Sequence, residues 1–142
     1  MSSIDGLDSK VLEDIFENSG LSFEHISKKV WKVSYVGETS DFQIMVDLNN
    51  PFVTLSINSY VFSPEDNECR LDLYTHLLKV NKEMDHAKFS LGEKGLVSLT
   101  MLITPLKRDP IRSLKKRLKS FCEYADNNYL DVLNIAQERH IS

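Results

Sequence analysis

Two histidines, His76 and His86, bracket an asparagine in HLLKVNKEMDHAKFSL, residues 76–91. With Cys69, Cys122 and the acidic set Glu13, Asp14 and Glu17, they are the side chains that could hold a metal, carry a proton or attack an electrophile. A zinc site needs three or four convergent ligands. The sequence has neither HExxH nor HxxxH, and His25 and His140 fall near loops and the chain end. On a helical wheel His76 lies beside Asp72, opposite the apolar arc and toward water. His86 begins the next strand in the outward phase of Lys88 and Ser90, so the two imidazoles do not meet. GxSxG, P-loop and GxGxxG patterns are absent, and the five glycines do not cluster as a phosphate cradle. Glu13, Asp14 and Glu17 fall on the outer, solvated side of a first helix, and Cys122 on the apolar side of the last. No catalytic, cofactor-binding or metal-binding set is assigned, and the expectation is a non-enzymatic protein without cofactors.

The elements that would carry these residues are well marked. Asp8 caps a first helix whose stripe is Val11, Leu12, Ile15 and Phe16, with Leu7 and Leu12 at staple spacing. Gly20 ends it, followed by Leu21 at Schellman spacing. Three alternating runs follow: Trp31, Val33, Tyr35; Phe42, Ile44, Val46, Leu48; and Val53, Leu55, Ile57. Short links at Gly37 and Asn49-Asn50-Pro51 make hairpins of them. Ser63 and Pro64 read as cap and first residue of a second helix reaching Met84. Ala87, Phe89, Leu91 and Val97, Leu99, Met101, Ile103 form two more strands around Gly92–Gly95. Pro105 stops the last strand, and Asp109-Pro110 opens a long final helix. The order α-β-β-β-α-β-β-α is that of an α+β fold, a five-stranded antiparallel sheet packed by helices on one face, in a single domain spanning 1–142.

Composition bounds the partners. The net charge of −4 divides into −7 over residues 1–105 and +3 over 106–142. An acidic body with a basic end argues against a nucleic-acid binder. No apolar run reaches the ~20 residues of a membrane helix, so no membrane insertion is expected. The first residues lack the basic and apolar regions of a secretory signal. Two cysteines without CxxC spacing suit buried packing in a reducing compartment, and the expected location is cytoplasmic.

Three surfaces are candidates for binding. On the second helix Cys69, Leu71, Leu73, Tyr74, Leu77, Leu78, Val80 and Met84 fill an arc of about 200°, wider than one sheet requires. Asn81 lies inside that arc and needs a hydrogen-bond partner, either the turn into the Phe89 strand or a ligand pocket shared with Tyr74. The outward phase of the sheet, Thr54, Ser56, Asn58, Lys88, Ser98 and Thr100, leaves a polar face open to a polypeptide partner. On the last helix Arg112, Lys115, Lys116 and Lys119 form a basic stripe beside an apolar one of Ile111, Leu114, Leu118, Phe121, Cys122 and Ala125. That helix would span over about 40 Å, an excess that favours docking on a second subunit.

The stretch YTHLLKVNKEMDHAKFSLGEKGLVSLTMLITPL resembles the core signature of the YbjN-like family, whose fold is that of type III secretion chaperones. Leu77-Leu78, Asn81, Phe89, the Gly92–Gly95 turn, the alternating final strand and the long helix after it carry the likeness. The resemblance implies a homodimer that binds other proteins in a chaperone-like or regulatory role, with no catalytic constellation. The alternative is a regulatory domain binding a small ligand near Asn81 and Tyr74.

Overall fold

The computed structural model describes residues 7–104 and 108–137. Pro105 and His140 lie outside them. The elements are α1 (Ser9–Asn18), β1 (Ser22–Ser27), β2 (Val30–Val36), β3 (Asp41–Asn49), β4 (Phe52–Phe62), α2 (Asn67–Glu83), β5 (Ala87–Leu91), β6 (Leu96–Ile103) and α3 (Pro110–Gln137). The strands form one antiparallel sheet in the order β1-β2-β3-β4-β6-β5.

The sheet has six strands where five were expected. SFEHIS pairs with β2 through a two-residue turn at Lys28-Lys29, with Ser27 opposite Val30. Its alternation is weak because Phe23 alone is an apolar residue packed on the core from this strand, and Ile26 is exposed. Lys-Lys also lacks the glycine or asparagine that marks a two-residue hairpin.

At α1 the sequence cues hold. The Asp8 carboxylate accepts from the Val11 N–H at 2.9 Å. Leu21 N–H donates to Phe16 O and Gly20 N–H to Glu17 O, the paired bonds of a Schellman turn, with Gly20 at φ +73°. The start of α2 differs. Asp66, not Ser63, is the cap, its carboxylate accepting from Cys69 N–H at 2.9 Å. Phe62 still pairs with Leu96, and Ser63 N–H donates to Gly95 O at 2.7 Å. The β4–β6 ladder therefore reaches Ser63, and the helix can begin only beyond it.

The wide arc on α2 is only half buried. Cys69, Leu73, Leu77, Val80 and Met84 face the core, a stripe of about 80°. Leu71 and Leu78 stay 65% and 70% exposed. His76 sits 20° from Cys69 on the wheel, at the edge of the buried stripe. It is half-buried rather than water-facing, and its Nε2 is enclosed without a hydrogen-bond partner among the described residues. His86 is exposed in the turn before β5 at φ +68° and does not begin the strand.

All three helices feed one core on one side of the sheet, with Trp31, Phe16, Phe121 and Leu55 among its largest members. Pro110 opens α3, and the Asp109 carboxylate accepts from Arg112 N–H at 3.2 Å. The helix runs 28 residues, about 42 Å. Its inner side is Leu114, Leu118, Phe121, Cys122, Ala125 and Val132, while Ile111, expected in that stripe, is exposed.

Candidate functional site

The strand β5 is an edge of the sheet, and α2 lies beside it. Between them runs a groove of about 270 Å³ lined by Tyr74, Leu77, Leu78, Asn81, Phe89 and Leu91. Asn81 forms its base in a specific way. Its Nδ2 donates to Phe89 O at 3.0 Å and its Oδ1 accepts from Phe89 N–H at 2.6 Å. The side-chain amide thus takes the place of a neighbouring strand at the middle of the open edge. Lys88 Nζ donates to the carbonyls of Asn81 (2.8 Å) and Met84 (3.0 Å), closing the C-terminal turn of α2. Tyr74 Oη donates to Ser63 Oγ at 3.1 Å. Asn81 and Tyr74 therefore share one groove, with their polar atoms already paired. Leu91, in the inward phase, lies beyond the helices and is 51% exposed. With Leu78 it gives the groove an apolar rim, and Leu71 is exposed two turns earlier on α2.

The outward sheet residues align as expected from the register. Lys32, Met45, Ser56, Thr100 and Lys88 stand opposite one another across five strands, and Thr100 Oγ1 reaches Lys88 O at 3.4 Å. Thr54 pairs with Leu102, and Ser98 Oγ donates to Asn58 O at 3.1 Å. The face is less polar than its alternation suggests, because Phe52 and Leu102 are exposed on it and Met45 is half-exposed. Pairing of β3 with β4 ends at Met45 and Ser56. Beyond that point the strands part around a cleft of about 420 Å³ whose floor is Phe42, Tyr60 and Tyr129. Their ring centroids are 5.4–5.9 Å apart, and Tyr60 Oη donates to Ala125 O at 2.5 Å. Burial, with Tyr129 and the Asp126 charge adding to it, raises the Tyr60 pKa above the ordinary phenol range.

Among the described residues, Asp126 is the one charged side chain in the core. It pins the β2–β3 turn onto α3. Its carboxylate accepts from Glu38 N–H (2.9 Å), Thr39 N–H (2.8 Å) and Thr39 Oγ1 (2.5 Å). Burial pushes its pKa up, but the Thr39 hydroxyl and the two backbone donors outweigh it, and the carboxyl titrates below its ordinary value. Sequence reasoning missed this residue, although its position one turn from both Cys122 and Tyr129 puts it on the apolar side. A second missed contact joins three elements. Trp31 Nε1 donates to Glu13 Oε2 at 2.9 Å, and His25 stacks on the indole at 4.4 Å, its Nδ1 3.6 Å from the same carboxylate. Glu13 is thus a tether to the buried tryptophan and not simply a solvated acid.

The basic stripe is exposed along α3, and two of its members converge. Lys115 and Lys119 border a cavity of about 410 Å³ between α3, β2 and the end of α1. Cys122 lies at its base. Burial, with the Glu123 and Asp126 charges behind it, pushes that thiol up to about 12, so it is a poor nucleophile at neutral pH. Among the described residues no three His, Cys, Asp or Glu side chains converge as metal ligands, and no helix is long and apolar enough to cross a membrane.

No family model and no curated protein matches the chain. Among solved structures it is similar to YbjN of E. coli, described as a candidate transcription regulator. The identity is 13% and the TM-score 0.60, over 89% of this chain and 92% of that one. It is also similar to a chain of the heterodimeric ExoU–SpcU complex from the type III secretion system of Pseudomonas aeruginosa. There the identity is 10% and the TM-score 0.61, over 89% and 98% of the two chains. The chain therefore has a YbjN-like, type III secretion chaperone-like fold.

Proposed function

We propose that this protein is a non-enzymatic module that binds a polypeptide partner, in a chaperone-like or regulatory role, through the α2–β5 groove. The observation that carries the reading is the exposed pair Leu78 and Leu91 on that groove, with Leu71 exposed two turns earlier on α2. Leu71 and Leu78 are two helical turns apart, about 10 Å, a spacing that suits successive apolar side chains of one bound chain. A polypeptide fits better than a small ligand. Small-ligand sites hold convergent, unspent polar groups, whereas Asn81 and Tyr74 have theirs committed to Phe89 and Ser63. Asn81 also occupies the centre of the β5 edge, so recognition rests on side chains in the groove and not on an added strand. The similarity to a chain of the ExoU–SpcU heterodimer supports a polypeptide partner. A homodimer assembled through a different surface belongs to the same reading.

Binding of a reduced, alkylated and permanently unfolded polypeptide, followed by fluorescence anisotropy alongside sedimentation velocity, tests this. Leu78→Glu is expected to weaken binding at least tenfold at unchanged molecular mass, while Lys32→Glu on the open sheet face binds as wild type. Equal binding by Leu78→Glu overturns the assignment. A halved mass in Leu78→Glu overturns it too, because the groove would then be the dimer contact.

A further inference from the structure

We propose that the cavity between the C-terminal turn of α1, β2 and α3 is a binding site for a small amphipathic carboxylate, held at its head by Lys115 and Lys119. Its volume, about 410 Å³, lies within the ~300–1,000 Å³ of small-molecule sites. Leu21, Leu118 and Cys122 make an apolar base, and the two ammonium groups stand one helical turn apart at the rim. Among the described residues neither lysine is in a salt bridge. Glu123, one turn past Lys119, is the opposing charge on the lining itself; Asp126 and Glu38 lie behind Tyr35, with the Asp126 carboxylate already bonded to the Glu38 and Thr39 N–H groups and the Thr39 hydroxyl. Tyr35 completes the lining with a hydroxyl that has no hydrogen-bond partner among the described residues. Burial and the negative groups around it, Asp126 first, raise its pKa, so it stays a donor at neutral pH. Two cations and a phenol donor above an apolar base match a carboxylate head on a short hydrocarbon body.

This site is separate from the α2–β5 groove and stands without the polypeptide reading. Titration calorimetry of the full chain with octanoate, butyrate and octylammonium tests it. Octanoate is expected to bind at one saturable site, butyrate at least tenfold more weakly because fewer methylenes are buried, and octylammonium not measurably. Lys115→Gln/Lys119→Gln is expected to weaken octanoate at least tenfold. Lys116→Gln, outside the lining, and Leu78→Glu, in the other groove, are expected to leave it unchanged. Octylammonium binding as tight as octanoate, or full octanoate binding by the double variant, overturns the proposal.

Discussion

Asn81 satisfies both polar groups of one edge residue, which is uncommon work for a single side chain. Asn81→Ala leaves the Phe89 N–H and C=O unpaired beside an apolar groove, at a cost of about 1–3 kcal/mol. A lowered urea midpoint with an unchanged slope is the expected result. Asp126 carries more bonds. In Asp126→Asn the amide NH2 must face either the Glu38 or the Thr39 donor, for a loss of about 1–3 kcal/mol. Its carboxyl titrates lower in the folded chain than in the unfolded one, so the unfolded state takes the proton first as pH falls. The stabilisation is complete above about pH 4–5 and disappears as pH drops through the folded value. Urea midpoints of wild type and Asp126→Asn should therefore converge in acid. Both residues are polar members of an apolar stripe; Asn81 was read as a misfit on the wheel, and Asp126 was missed although the same signal marks it. Their partners were not legible, because Phe89 is eight residues from Asn81 and Thr39 is 87 from Asp126.

The elements show where periodicity stops being informative. The α2 alternation correctly placed Leu73, Leu77 and Val80 inward, but a wheel has no knowledge of how far the sheet extends. Leu71 and Leu78 look like core and remain outside it. The start of α2 was misread for a related reason: Ser-Pro is a sound local cap signal, and a ladder bond from Ser63 to Gly95 overrode it. The β2–β3 turn is an element whose shape depends on a distant helix. A Cβ at Gly37 would sit 2.6 Å from Asp126 Oδ1 and 2.9 Å from Ser40 O. Gly37→Ala must push the turn off α3, and a destabilisation of about 1–3 kcal/mol is expected by thermal or urea unfolding. If the loss arises through Asp126, the effect shrinks in an Asp126→Asn background, which a double-mutant cycle reads directly.

At the scale of the molecule, the α+β class, the antiparallel sheet with helices on one side and the secretion chaperone-like fold were all legible. Alternation, caps and turn residues agree with one another along most of the chain. The sixth strand was not, since an edge strand packed on one face at its end has little apolar pattern to display. Function was less legible because the proposed surfaces come from juxtaposition. Leu78 meets Leu91 across an element boundary, and Lys115 with Lys119 meets Tyr35 and Leu21 across three. A homodimer of this 16.3 kDa chain should sediment as twice that mass, and the polypeptide reading requires that mass to be insensitive to Leu78→Glu.

The chain contains a single tryptophan, and it lies flat against His25 with an interplanar angle of 4°. The consequence is optical. The emission of an indole depends on the ring packed against it, so Trp31 fluorescence reports the placement of one particular side chain of β1. Emission at one fixed pH should therefore change in His25→Ala, which removes the stacked ring. Opening of the β1–β2 hairpin would separate the rings, which makes the same signal a monitor of the edge strand alone, distinct from global unfolding.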